Sequence, residues 1–167
     1  MRRTMLALMT VAVTLALPVS AASARGDGWE FLPAGDFSVA ACGTQVQETV
    51  TANKEFAKFA VDPDGTLRFV LVTGVFKVRV TNLDTGSSTL VNASGTGHDA
   101  LIYPNGDFLF TTSGPSLIVL TPEEAEDTGL PTLFLNNGNM DILFRADGSA
   151  VLEHRTGHLT DLCEVIA

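Results

Sequence analysis

Apolar and polar residues alternate along most of the chain in short runs separated by turn sequences. Leu67, Phe69 and Leu71 occupy alternate positions, and Phe76, Val78 and Val80 follow with the same period. A period of two indicates β-strands with one buried face. The runs end at stretches of glycine, proline, asparagine and aspartate, which favour tight turns: 62–65, 84–86, 104–107, 136–139 and 147–148.

The apolar phase moves from odd to even positions between Leu71 and Phe76. A shift of one residue inverts the faces of a strand, so this pattern predicts either a tight turn at Thr73 and Gly74 or a β-bulge there. Counted along the chain, about nine or ten short strands recur at roughly ten-residue spacing, which predicts an all-β domain. Hairpin-like turns favour an antiparallel meander.

One segment has the pattern of a helix. Thr121 is suited to the N-cap, Pro122 to the first helical position and Glu124 to a capping box, while Gly129 is suited to the end. The acids of this segment would also suit calcium, although capping accounts for them with fewer assumptions: Glu123, Glu124, Glu126 and Asp127.

The N-terminus has the pattern of a cleavable export signal. Arg2 and Arg3 precede an apolar run at residues 5–17, and the small residues Ala22 and Ala24 form a cleavage site. The run has 13 residues, short of the roughly 20 that a membrane-spanning helix needs. We therefore predict a signal peptide at 1–24, an N-terminal arm at 25–41 and a single β-barrel domain at 42–167, secreted to the extracellular space.

Charge excludes some partners. Two of the ten basic residues lie in the signal, so the rest of the chain has 8 basic and 19 acidic residues, a formal net charge of −11. Such a surface repels phosphate backbones and anionic lipid headgroups. We therefore expect no nucleic-acid partner and no membrane attachment after cleavage, and we expect a monomer.

Cys42 and Cys163 are the two cysteines of the chain. In an oxidising compartment a lone pair is most simply one disulfide, with Cα atoms roughly 4.4 to 6.8 Å apart. Such a bridge brings the first and last strands of the domain together. We therefore expect the meander to close into a barrel of roughly eight strands, similar to a lipocalin, with a two-sheet sandwich as the alternative.

Several turn and strand sequences resemble small exported proteins of actinobacteria. They include 80–86, 91–95, the Pro104 turn, 113–115 and the closing 161–163. The resemblance covers nearly the whole chain after the signal. It implies export, a disulfide and a single β domain, and it carries over no functional residues.

Catalytic and metal chemistry have weak support in the sequence. Nucleophilic catalysis needs an activated Ser or Cys beside a base, yet both cysteines are expected to be oxidised and no G-x-S-x-G elbow is present. His154 and His158 are spaced by four residues, which does not bring two strand side chains together unless the chain bends at Gly157. We expect no catalytic residue, no metal and no cofactor.

Two function hypotheses remain. The first is a non-enzymatic barrel that binds a small apolar ligand in its interior. The second is an extracellular interaction or inhibitor domain that acts through its loops. His154 shares a strand face with Leu152. For the ligand-binding barrel, the alternation places the following side chains in the interior: Phe69, Phe76, Phe108, Phe110, Phe144 and His154.

Overall fold

The computed structural model describes residues 28–167, apart from the side chains of residues 96–99. The predicted signal peptide at 1–24 lies outside this range. The described residues form ten strands and two short helices: β1 (Glu30–Phe31), β2 (Phe37–Ala41), β3 (Thr44–Val61), β4 (Leu67–Asn82), β5 (Ser88–Asn92), β6 (Thr96–Ile102), β7 (Phe108–Val119), α1 (Pro122–Thr128), β8 (Leu133–Phe144), β9 (Ala150–Arg155), β10 (His158–Asp161) and α2 (Leu162–Val165).

All strand pairs are antiparallel, which confirms the all-β prediction. The pairing order runs β1-β3-β4-β6-β7-β8-β10, and β2, β5 and β9 add to β3, β4 and β8. Within residues 28–167 the two ends of this order, β1 and β10, do not pair, so the sheet stays open. The expected closed eight-stranded barrel is not formed, and the sandwich alternative fits better.

A long hairpin of β3 and β4 organises the sheet. β3 continues as one strand past a β-bulge between Val50 and Ala52. β4 likewise runs without a turn through Gly74, whose φ of 139° favours glycine. Its C-terminal half pairs with β5 and its N-terminal half with β6. The apolar phase therefore changes because the two halves of one strand carry apolar residues on opposite faces.

The first core lies between the β2–β5 part of the sheet and the ends of β7 and β8. Its buried members include Val46 and Val80 on one side and Leu133 on the other. Helix α2 completes it with Leu162 and Ile166, and the Asn82 side-chain amide donates to the Ile166 carbonyl at 3.1 Å. This packing fixes the C-terminus to the sheet.

The disulfide between Cys42 and Cys163 is present, with Cα atoms 5.1 Å apart, so that prediction is confirmed. It does not join the first strand to the last. Cys42 lies in the turn between β2 and β3, and Cys163 lies in α2. The bridge closes a separation of 121 residues, which in the chain-entropy model stabilises the fold by about 4 to 5 kcal/mol. The disulfide forms without barrel closure, because α2 lies next to the β2–β3 turn.

The second core is formed by the β7–β8 ribbon folded onto itself. Ile118 and Phe134 from one end of the ribbon belong to the same buried cluster as Met140 and Ile142 from the other half. At the bend, a Cβ on Gly138 would lie 2.2 Å from the Thr156 carbonyl oxygen and 2.8 Å from the Gly157 Cα. Only glycine permits this approach of β8 to the β9–β10 connection.

Helix α1 agrees with the prediction in detail. The Thr121 hydroxyl accepts from the Glu124 N–H, the Glu124 carboxylate accepts from the Thr121 N–H, and Gly129 ends the helix in a left-handed conformation. The Asp127 carboxylate accepts from the Ala150 N–H at 3.0 Å, which ties α1 to β9 over the second core.

Replacing Gly138 by alanine should lower the free energy of unfolding by about 1 to 3 kcal/mol, the usual cost of overpacking, because the new Cβ meets backbone atoms that cannot move independently. Urea titration monitored by circular dichroism measures this. Gly35→Ala is the matched control, since a Cβ there has no heavy atom within 4 Å. Equal stability of the two variants would contradict the close approach at the bend.

Candidate functional site

The residues predicted to line an interior lie in three different places. Phe76 packs against the first core, and Phe108, Phe110 and Phe144 belong to the second. The Phe108 ring stacks on Phe144 at 5.6 Å between centroids and lies 6.2 Å from Phe110. Phe69 lies on the opposite face of the sheet. The set therefore does not line one cavity.

His154 is exposed, although the alternation places it on the same face as Leu152. Leu152 pairs with Ile142, whereas His154 pairs with Asp141, so Glu153 is an extra residue in β9. This β-bulge moves His154 to the other face of the sheet. His158 is exposed as well. Among the described residues, no group of three or more His, Cys, Asp or Glu side chains is arranged to hold a metal ion.

An apolar row crosses five neighbouring strands, one residue from each of β4, β6, β7, β8 and β9. Successive members pair directly, so they lie side by side on one face, over about 19 Å at the usual strand spacing. We call this set the outward apolar row: Phe69, Leu101, Leu109, Leu143 and Val151.

The outward apolar row faces away from the second core. The neighbouring pair Phe110 and Ile142 belongs to the alternate, inward face, and Ile142 is fully buried in that core. In the row itself, Leu101 is 38% exposed and the other four side chains are half-buried. A row of apolar side chains on a sheet face that is not buried in a core is typical of an interaction surface.

Turns border the outward apolar row at one end of the sheet. Asp107, in the β6–β7 turn, accepts from the Ala146 N–H at 3.0 Å and so links that turn to the β8–β9 turn. Arg68 pairs with Asp62 beside the β3–β4 turn. Tyr103, directly after β6, is 37% exposed. The row thus has a polar rim, as protein interfaces do.

Two carboxyl groups are buried on the inward face of β3. Glu48 is 1% exposed and follows the alternation of Val46 and Val50, which pack in the first core. Within the described part of the chain, its Oε1 atom has no hydrogen-bond partner. Burial raises the pKa of Glu48 to about 7, because the apolar surroundings disfavour the charged form.

Glu55 lies further along the same face, past the bulge, and is 7% exposed. It pairs with Gly74, which has no side chain to fill the space beside it. Burial raises the pKa of Glu55 to about 7 as well. Both carboxyl groups therefore titrate near neutrality.

Sequence reasoning missed these glutamates. For Glu48 a signal was present, because the spacing in 46–50 puts it on the face of two valines. For Glu55 no such signal was present. The bulge changes which of the alternate residues of β3 face inward, and it is not visible in the residue pattern. The outward apolar row was also missed. Phe69 was assigned to the interior, and the strand pairing that aligns it with the other four members is not visible in the residue pattern.

The acidic side chains of α1 lie in two different environments. Glu124 and Asp127 accept backbone hydrogen bonds. Glu123 and Glu126 are exposed. This arrangement agrees with the capping interpretation of the segment.

The domain should be less stable at pH 8 than at pH 5. A carboxyl group whose pKa is raised by folding stabilises the folded state below its unfolded pKa of 4.5, and this contribution is lost as the pH rises through about 7. For Glu48 the loss amounts to about 3 kcal/mol. The lowered pKa values of Asp64 and Asp147, due mainly to hydrogen bonds from Thr66 and Ser149, place their titration below this range.

Urea titration at both pH values tests this expectation. Glu48→Gln should remove about half of the pH dependence, with Glu55 responsible for the rest, and Glu123→Gln on the exposed face of α1 should leave it unchanged. A wild-type protein that is equally stable at pH 5 and pH 8 would contradict the burial of both carboxyl groups.

Comparison with known proteins gives no family for the chain. No protein-family model matches it, and no curated protein or solved structure matches it significantly.

Proposed function

We propose that this protein is a secreted, non-enzymatic interaction domain that binds a protein partner through the outward apolar row. The observation that carries the proposal is the row itself: apolar residues from five adjacent strands meet on the face opposite the second core. Interfaces of ordinary size bury about 800 Å² per partner around an apolar centre with a polar rim. The row and its bordering turns have this composition.

The alternative, a lipocalin-like barrel that holds a small apolar ligand, has less support. Such a barrel needs a closed wall around an interior lined by apolar side chains. The sheet is open among the described strands, and the aromatic residues expected inside pack into two separate cores. The interaction surface proposed here also lies on strands rather than on loops alone.

Export is supported by two observations. The N-terminal sequence has the pattern of a signal peptide. Cys42 and Cys163 form a disulfide, which persists in oxidising compartments. Between residues 28 and 167, the structure has no helix that is long and apolar enough to cross a membrane. The resemblance to exported actinobacterial proteins implies the same location.

Leu101→Asp should abolish partner binding with little loss of stability, because it places a charge at the most exposed position of the row. The tagged domain is incubated with culture medium and surface extract of its host, and retained proteins are quantified by mass spectrometry. Leu90→Asp is the matched control, since Leu90 is 58% exposed on β5, away from the row.

A partner retained by the wild type and by Leu90→Asp, but reduced at least tenfold with Leu101→Asp, is the expected result. Identical sets of proteins with all three forms would contradict a role of the row.

The secreted protein should begin at Arg25. N-terminal sequencing of material from culture medium measures this directly. Ala24→Leu should slow cleavage, because the pocket of signal peptidases accepts small residues at such sites. Recovery of the full chain, with residues 1–24 retained on a membrane fraction, would contradict export and cleavage.

A further inference from the structure

The inward face of β7 and β8 carries polar side chains in the interior of the protein. Thr112, Ser116 and Asn136 each have 0% exposure. Ser116 and Asn136 pair directly across the two strands. We call these three residues the interior polar face.

Two members of this face lack the hydrogen bonds that burial demands. The Thr112 Oγ1 atom and both amide atoms of Asn136 have no partner among the side chains and backbone groups that the structure describes. Leaving a buried donor or acceptor unpaired is costly, and in native proteins such groups are almost always bonded to protein or to ordered water. Three unpaired atoms on one face of two paired strands therefore indicate a ligand.

The register places these atoms around the bend of the ribbon. Gly114 pairs with Gly138 between the Ser116–Asn136 pair and the Thr112–Met140 pair. The glycine pair contributes no side chain to the inward face. Polar groups thus lie on either side of a position where the backbone of Thr156 and Gly157 takes the place of a side chain on Gly138. The Ser116 hydroxyl lies 3.5 Å from the Gly114 carbonyl oxygen at the same place.

The chemistry of the unpaired atoms selects the kind of ligand. The Asn136 amide offers both donor hydrogens and an acceptor oxygen, and the Thr112 hydroxyl offers both functions as well. An anion would leave the Asn136 oxygen unpaired, and a cation would leave its N–H groups unpaired. A neutral molecule with donor and acceptor groups satisfies both, and complete enclosure of the side chains favours the smallest one.

We propose that the interior polar face is a hydration site, in which internal water molecules bond to the Asn136 amide and to the Thr112 hydroxyl. Buried waters occur about once per 27 residues and make about three hydrogen bonds each. Because the side chains are fully enclosed, these waters exchange slowly with the solvent. They complete the hydrogen bonding of the bend that folds the β7–β8 ribbon.

Oxygen-17 relaxation dispersion of solvent water, which counts long-lived internal waters, tests the proposal on the intact protein. Thr112→Val removes the hydroxyl with little change of shape and should lower the dispersion amplitude by about one water. Thr111→Val is the matched control, since Thr111 is the half-buried preceding residue, on the opposite face of β7. It should leave the amplitude unchanged.

The urea midpoint provides a second measurement, because the direction of its change in Thr112→Val shows whether the hydroxyl is hydrogen-bonded to water. If Thr112 binds water, Thr112→Val loses those hydrogen bonds and the midpoint falls. If the hydroxyl binds no water, Thr112→Val leaves the dispersion amplitude unchanged. If the hydroxyl has no partner at all, its removal also raises the urea midpoint. An unchanged amplitude in Thr112→Val and in Asn136→Leu would overturn the proposal.

Discussion

The fold depends on the approach of two backbone segments at Gly138 and Gly157. There is no room for a Cβ between them, so β8 and the β9–β10 connection meet backbone to backbone. This contact lets the β7–β8 ribbon bend until residues from its two ends share one core. The bend then places the other face of the ribbon, with Leu117 and Leu135, against the first core. The bent ribbon therefore contributes residues to both cores.

The interior contains more polar groups than an apolar core requires. Glu48 and Glu55 lie on the inward face of β3, and Asn136 lies on that of β8. Burial disfavours charge, so the two carboxyl groups hold their protons up to about neutral pH. A buried polar group that lacks a hydrogen bond lowers stability. The disulfide opposes this cost by restricting the unfolded chain, since it links the β2–β3 turn to α2 over most of the domain.

The proposed function rests on the outward apolar row, whose residues belong to neither core. These residues lie on the sheet face opposite the second core. His154 and His158 are exposed, whereas Glu48 and Glu55 are buried. In the proposed function, the outward apolar row is the surface that a partner contacts.

The sequence by itself determined the local features: the alternation typical of strands, the turns, the capping of α1 by Thr121 and the pairing of Cys42 with Cys163. The first three depend on residues that are close in sequence. The disulfide pairing follows because the chain has two cysteines. Only the tertiary structure decided that the sheet stays open, that Glu153 forms a bulge and turns His154 outward, and that Phe69 faces away from the cores. The physical reason is that alternation shows only that a strand has two different faces. Which face is buried depends on the elements that pack across it, and a single bulge or glycine contact reverses the answer.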